Sequence, residues 1–135
     1  MSTPSKTISF EPLEKALDSL KKAVATAPKN ELERDGVIQR FEYTFEMAWK
    51  SIRKCLFELG RKEVSSSPKP VLRDALEENL ISDIQQWFEF LEARNFTSHT
   101  YNELSANEVY SRAKDFPPVA ETLLEKLKAR VSAKA

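Results

Sequence analysis

The chain has 135 residues, a length typical of one domain with a single hydrophobic core. Its 21 basic and 21 acidic residues give a net charge of zero, which argues against binding nucleic acid through overall charge but permits a local basic site. With one cysteine, two glycines and no CxxC or HExxH pattern, the chain lacks the material for an internal disulfide, a glycine-rich phosphate loop or the usual zinc site. We expect one domain over residues 1–135, with flexible ends at residues 1–7 and 132–135.

The N-terminal sequence MSTPSKTISF has no apolar run and none of the features of a signal peptide. No stretch approaches the ~20 apolar residues that a membrane-spanning helix needs. We therefore expect a cytoplasmic protein that does not bind a membrane, and we predict no cofactor and no metal ion. The single cysteine, Cys55, is predicted to be a small buried residue on a helix.

Residues 8–27 place apolar side chains at helical spacing, which predicts a first helix with Pro12 in its first turn. A longer helix is predicted over residues 31–59 and is ended by Gly60. The apolar stripe of this second helix consists of Val37, Ile38, Phe41, Phe45, Ala48, Trp49, Ile52 and Leu56. Its other side carries Arg40, Glu46, Lys50 and Arg53. That side is either a solvated face or a face that docks a partner.

Residues 64–70 (VSSSPKP) predict a loop, and residues 71–79 predict a short helix. Two capping-box patterns, at residues 82–85 and 105–108, predict the starts of two further helices. Pro117 and Pro118 are predicted to interrupt the last of these, which resumes over residues 119–131. Four amphipathic helices with short connections favour an all-α fold, an antiparallel up-and-down four-helix bundle with a short accessory helix.

The segment RNFTSHTY, residues 94–101, contains the one histidine of the chain. Arg94 precedes His99 by five positions, and Tyr101 follows it by two. An arginine can hold a phosphate with a planar fork of donors, and a histidine can move a proton near neutral pH. Together they are the minimum set of groups for metal-free chemistry on a phosphodiester.

A helical wheel places this segment relative to the core, if one helix runs unbroken over residues 82–102. The motif then continues the stripe of Trp87 and Leu91, so the inward face changes from apolar to polar at its end. Burying these polar groups inside one chain would require partners for all of them, which favours a cleft or an interface with a second chain. Phe96 falls on the outward side, where it could mark a contact with another subunit. The polar groups in question are Arg94, Asn95, Ser98, His99 and Asn102.

Three stretches of the chain resemble the HEPN superfamily of small helical domains, and more narrowly its HepT-like and nucleotidyltransferase substrate-binding branch. The stretches are VIQRFEYTFEMAWKSIRKCLFELG (residues 37–60), ARNFTSHTYNE (residues 93–103) and EVYSRAKDFPPVAETLLEKL (residues 108–127). The resemblance covers nearly the whole chain. It implies a four-helix bundle that forms a homodimer, with the Arg/His motifs of both chains meeting at the interface.

The resemblance also implies a function. Active members are metal-independent ribonucleases, often paired in a toxin–antitoxin system with a minimal nucleotidyltransferase that transfers AMP to the motif tyrosine, here Tyr101. In such an enzyme His99 is the general base for a ribose 2′-OH or the acid for the leaving oxygen, and Arg94 stabilises charge on the phosphate. Asn95 orients His99 or the substrate, while Ser98 and Asn102 belong to the substrate- or nucleotide-binding surface.

Two other interpretations remain open at this point. In the first, the chain is a non-catalytic subunit whose Arg94, Asn95 and His99 hold a nucleotide or substrate phosphate while residues 37–59 dock a nucleotidyltransferase. In the second, the chain is a helical interaction module in which His99 is structural, Arg94 pairs with carbonyls or an acid, and Tyr101 is a core residue.

Overall fold

A computed structural model describes residues 8–99 and 101–134, apart from the side chains of residues 104 and 134. These residues form helices and no strand, so the prediction of an all-helical fold is confirmed. The helices are α1 (Glu11–Val24), α2 (Glu31–Glu58), α3 (Pro68–Glu77), α4 (Ile84–Asn95), α5 (Glu103–Ala113) and α6 (Phe116–Lys134). Within the described ranges, no helix has the length and apolar character to cross a bilayer. The ends predicted to be flexible lie outside the description at residues 1–7 and 135, and α6 continues through residue 134.

Helix α2 begins and ends near its predicted limits because local sequence fixes both ends, whereas α1 is three residues shorter than predicted at each end. Pro12 lies in the first turn of α1, where a missing N–H leaves no hydrogen bond unmade. Asn30 starts α2, since its side-chain oxygen accepts a hydrogen bond from the Glu33 N–H at 2.8 Å. Gly60 follows the end of α2 with φ of 89°, a left-handed conformation that glycine adopts without strain.

The core is built around α2, which packs against α1, α3, α4, α5 and α6. A cluster of aromatic rings joins α2 to α4 and α6. Phe116, at the start of α6, packs at 4.8 Å from Phe90 and 5.5 Å from Phe41, measured between ring centroids. Cys55 is fully buried as predicted, and burial raises the pKa of its thiol. Large apolar side chains from every long helix therefore share one core.

Three further predicted helix boundaries, all in the second half of the chain, are wrong, and each has a local cause. The side chain of Asp83, not Ser82, caps α4 by accepting a hydrogen bond from the Gln86 N–H at 3.0 Å. The helix after the motif begins at Glu103, ahead of the predicted capping box at residues 105–108, because Asn102 precedes it with a side-chain oxygen 3.5 Å from the Ser105 N–H. The helical interruption follows Ala113, where α5 ends, and does not fall at the prolines. Pro117 and Pro118 lie in the first turn of α6, where proline is tolerated.

The short helix predicted over residues 71–79 is α3, which starts three residues earlier. Arg61 secures it to the end of α2, with ion pairs to Asp74 at 3.3 Å, Glu77 at 2.6 Å and Glu78 at 3.3 Å. Arg130 of α6 reaches the same Glu78 carboxylate at 2.9 Å. This charge network fixes α3 against both α2 and α6.

Candidate functional site

The segment around residues 94–101 is a turn between two helices and not the continuous helix that the wheel assumed. Helix α4 ends at Asn95, a 3₁₀ turn covers Thr97–His99, and α5 begins at Glu103. The Thr97 hydroxyl donates to the Arg94 carbonyl at 2.8 Å, so it occupies the carbonyl that a continuing helix would offer to the residue 98 N–H. The His99 N–H instead donates to the Phe96 carbonyl at 2.9 Å. The motif therefore projects from the end of α4 instead of extending its inward stripe.

Arg94 is held in place by two neighbours on the face that α4 turns toward α2. One guanidinium nitrogen forms an ion pair with Glu46 of α2, and another donates to the Asn95 side-chain oxygen at 3.0 Å. Both members of the ion pair are about three-quarters buried, with side-chain exposures of 26% for Arg94 and 21% for Glu46. The second carboxylate oxygen of Glu46 lies 3.7 Å from the Lys50 ammonium. The guanidinium is thus fixed and its charge is compensated.

His99 lies in the open, between two exposed aromatic rings. Its ring centroid is 6.1 Å from that of Phe96 and 6.1 Å from that of Tyr101, and both pairs meet edge to face. Tyr101 is 86% exposed and Phe96 is 46% exposed, which agrees with the outward position predicted for Phe96. The imidazole of His99 and the ring of Tyr101 are therefore accessible to a ligand or to a second protein. We call Phe96, His99 and Tyr101 the aromatic cluster.

The other predicted binding residues divide between the site and the scaffold. Asn95 is exposed, but its side-chain oxygen accepts from Arg94, and Asn95 does not share a helix with His99 because α4 ends at Asn95. Ser98 is exposed in the 3₁₀ turn. Asn102 precedes α5, and its side-chain oxygen lies 3.5 Å from the Ser105 N–H in the first turn of that helix. The structure therefore groups Arg94 with Asn95, and His99 with Tyr101.

A second arginine anchors the far end of the turn. Arg34 of α2 is 8% exposed, and its guanidinium donates to the Asn107 side-chain oxygen at 3.1 Å and lies 3.9 Å from Glu103. The turn is consequently held at both ends by ion pairs or hydrogen bonds to α2. The pairings of Glu46 and Arg34 could not be predicted from the sequence, because each resembles an ordinary surface charge on α2 and its partner is remote in sequence.

The groove beside the motif, between α4 and α5, is acidic. It has a volume of about 370 Å³, and Phe96 forms part of its wall. Its charged lining consists of Glu89, Glu92, Glu108, Asp115 and Arg112. Arg112 is already paired with Glu89 at 2.9 Å. An excess of carboxylates repels phosphate, so this flank of α4 does not suit a nucleic acid.

Comparisons of the sequence and of the structure with known proteins lead to related proteins. Residues 8–129 match the protein family described as nucleotidyltransferase substrate binding protein like. Over 98 residues the chain is 35% identical to the "Probable ribonuclease HepT" of Haemophilus influenzae (strain ATCC 51907 / DSM 11121 / KW20 / Rd), covering 70% of this chain and 67% of that protein.

Two solved structures share the fold. A crystal structure of a Thermus thermophilus protein superimposes with a TM-score of 0.78 and 38% identity, covering 85% of this chain and 98% of that one. A Haemophilus influenzae protein, described as having the fold of a substrate binding domain of a nucleotidyltransferase, superimposes with a TM-score of 0.76 and 28% identity. That match covers 89% of this chain and 99% of the other.

Proposed function

Because this chain belongs to the nucleotidyltransferase substrate binding protein-like family and is related to HepT, we propose that it is a nucleotidyltransferase-associated HEPN protein that cleaves RNA without a metal ion. One observation carries the proposal: His99 is exposed beside Tyr101, while Arg94 is held by Glu46 at the root of the same turn. A proton-transfer group is thereby accessible to a ligand, and a phosphate-binding group is already oriented.

In the proposed reaction His99 removes the proton of a ribose 2′-OH, and the resulting oxygen attacks the adjacent phosphorus. Arg94 stabilises the charge that develops on the phosphate oxygens. The 5′-oxygen leaves with a proton, and the products are a 2′,3′-cyclic phosphate and a 5′-hydroxyl. The chain contains one histidine, so the acid that supplies this proton is His99 of a second copy, which makes a homodimer part of the proposal.

Tyr101 is the proposed point of control in a toxin–antitoxin pair. A minimal nucleotidyltransferase transfers AMP from ATP to its hydroxyl, which is accessible because the residue is 86% exposed, and releases pyrophosphate. The new phosphodiester adds bulk and a negative charge next to the His99 ring, whose centroid is 6.1 Å away from that of Tyr101. That charge repels the phosphate of an incoming RNA.

The alternative function is a non-catalytic substrate- or nucleotide-binding subunit of a two-component nucleotidyltransferase. A specific observation favours it: the Arg94 charge is already compensated by Glu46, which weakens its attraction for a phosphate. For either function we propose that α1, α2, α4 and the broken α5–α6 segment form the antiparallel up-and-down bundle, with α3 as the accessory helix. Helix α2, from residue 37 onward, remains the proposed surface for docking the enzyme.

The deciding experiment compares wild type with His99→Ala on end-labelled structured RNA in EDTA. Mass spectrometry first establishes that Tyr101 carries no AMP. Cleavage by wild type alone, leaving 2′,3′-cyclic phosphate ends, supports the ribonuclease. Intact RNA with both proteins, together with a stable complex between wild type and the nucleotidyltransferase, supports the binding subunit instead. Circular dichroism of His99→Ala excludes a folding defect as the cause of lost cleavage.

A further inference from the structure

One stripe of α2 changes from acidic to basic as it leaves the candidate site. With about 100° per residue, Glu46, Lys50, Arg53 and Phe57 fall within roughly 60° of each other on the helix surface. They span roughly 16 Å of α2 at 1.5 Å per residue. The Lys50 side chain is 54% exposed and Phe57 is 48% exposed. Beyond Glu46, this stripe therefore presents two cations and an accessible aromatic ring.

Two more cations join this surface from α3. Lys69 and Arg73 are exposed, and their charged ends lie 5.0 Å and 5.7 Å from the ring centroid of Phe88 on α4. The Arg53 Nε donates to the Ser65 carbonyl at 2.8 Å, which ties the α2 stripe to the loop that leads into α3. We call Lys50, Arg53, Lys69 and Arg73 the basic strip.

The basic strip ends on α4 at Phe88 and is joined to the candidate site through Lys50, whose partner Glu46 pairs with Arg94. Phe88 and Asn95 are seven residues apart, so they lie on the same side of α4, roughly 10 Å from each other. Asn95 accepts a hydrogen bond from Arg94, and Glu46 connects Arg94 to Lys50. The cations thus lead from the candidate site along α2 and α3, and Glu92, one turn beyond Phe88 on α4, lines the acidic groove.

We propose that the basic strip is the path along which single-stranded RNA leaves the Arg94–His99 site. Its four cations bind successive phosphates, and the exposed Phe57 ring, with the Arg53 guanidinium 5.0 Å from its centroid, offers a surface for base stacking. Only the identity of the ligand rests on the proposed function. In a chain with no net charge, RNA binding requires a local group of cations, which this strip supplies.

The test measures RNA binding separately from cleavage. Every protein carries His99→Ala so that the RNA stays intact, and the probe is a fluorescein-labelled oligouridylate of about 12 nucleotides, followed by anisotropy in EDTA. The double variant Lys69→Ala/Arg73→Ala removes two cations of the strip. The matched control, Arg112→Ala/Lys114→Ala, removes one lysine and one arginine from exposed positions on the α5 side.

Losing two phosphate contacts is expected to weaken binding roughly tenfold near 0.15 M salt and to reduce the salt slope by about 1.4. The control should change the dissociation constant by less than about twofold, since exposed charges beyond a Debye length are screened. Equal losses in both double variants, or no loss in either, would overturn the proposal. Unchanged RNA binding with weakened binding to the nucleotidyltransferase would overturn it too and identify a protein-docking surface.

The proposed function can fail independently of the strip. If the protein with His99 intact binds the oligouridylate through Lys69 and Arg73 but never cleaves RNA, the ribonuclease proposal fails and the strip stands. If that protein cleaves RNA while Lys69→Ala/Arg73→Ala binds it normally, the strip alone fails. Thermal melting of each variant confirms that it is folded, and because both side chains are exposed we expect a native fold.

Discussion

Glu46 of α2 forms an ion pair with Arg94 of α4, so the arginine of the motif is held by a carboxylate before any ligand arrives. The same carboxylate group lies 3.7 Å from Lys50, the first cation of the basic strip. A phosphate that reaches Arg94 must therefore compete with Glu46 for the guanidinium. This pairing links the orientation of Arg94 to its affinity for an anion.

The substitution Glu46→Gln should separate these two effects. It removes the competing charge but keeps a hydrogen-bonding side chain of the same length. We expect RNA affinity to rise roughly fourfold near 0.15 M salt, the equivalent of one extra phosphate contact. The free energy of unfolding should fall by about 1 kcal/mol, because the pair is partly buried. Anisotropy and urea denaturation give the two values.

Glu42→Gln is the matched control, because Glu42 is one turn earlier on α2 and exposed. Both the RNA affinity and the unfolding free energy of this variant should stay near wild type, the latter within about 0.5 kcal/mol. If Glu46→Gln also binds RNA no better than wild type, the guanidinium of Arg94 does not contact phosphate.

Tyr101→Phe should uncouple the protein from its proposed regulator. The variant keeps the ring that meets His99 edge to face, and it loses the hydroxyl proposed to accept AMP. With the nucleotidyltransferase and ATP present, we expect wild type to gain the mass of AMP and stop cleaving RNA, while Tyr101→Phe remains unmodified and active. Tyr43→Phe is the control, since Tyr43 is also exposed and pairs with Ser19 at 3.2 Å. Modification of Tyr101→Phe to the same extent would place the acceptor elsewhere.

Arg34 should matter for stability far more than an exposed arginine. Its side chain is 10% exposed and joins α2 to Asn107 of α5, whereas the Arg112 side chain is 52% exposed and pairs with Glu89 across the acidic groove. We expect Arg34→Met to lower the free energy of unfolding by about 2 kcal/mol and Arg112→Met by less than about 1 kcal/mol. Urea denaturation measures both. Equal losses would mean that the Arg34 contacts do not anchor the turn.

Local sequence signals were sufficient to predict several helix ends and core residues of this fold. Asn30 and Gly60 mark the ends of α2 by chemistry that acts within a few residues, so its predicted bounds agree with the structure to within one residue. The prediction also placed Trp87 and Leu91 correctly in the core, since helical periodicity holds within α4. Arg94, His99 and Tyr101 could be predicted from the chemistry of their side chains together with the resemblance to the HEPN superfamily.

The geometry of the site depended on contacts that periodicity does not contain. The helical-wheel prediction is wrong after Asn95, because the Thr97 hydroxyl donates to the Arg94 carbonyl and α4 ends there. Residue spacing does not show whether a side chain or the next helical N–H will bind that carbonyl. Glu46 was assigned to a solvated or docking face, because its pairing with Arg94 exists only once α2 and α4 pack together. Tertiary ion pairs of this kind leave no signal in a single sequence.

Glu78 gives the fold a definite dependence on acid. Its carboxylate is bound by Arg130 of α6 and Arg61 after α2. The hydrogen bond from Arg130, followed by the contributions of Arg61, holds the pKa of Glu78 below its ordinary value. Ionised Glu78 therefore stabilises the folded state above the unfolded-state pKa of about 4.3, and this contribution is lost as the pH falls through the lower folded-state pKa.

Replacing Glu78 with glutamine should flatten this acid dependence. At pH 7 we expect Glu78→Gln to melt a few degrees below wild type, because the charged contacts to α6 and Arg61 are gone. As the pH falls below about 4.3 the gap should narrow, because wild type then protonates the same carboxyl group. Arg130→Met should reproduce the effect, since Arg130 is the main cause of the lowered pKa. A gap between Glu78→Gln and wild type that stays constant from pH 7 into this acid range would show that Glu78 acts through packing and not through its charge.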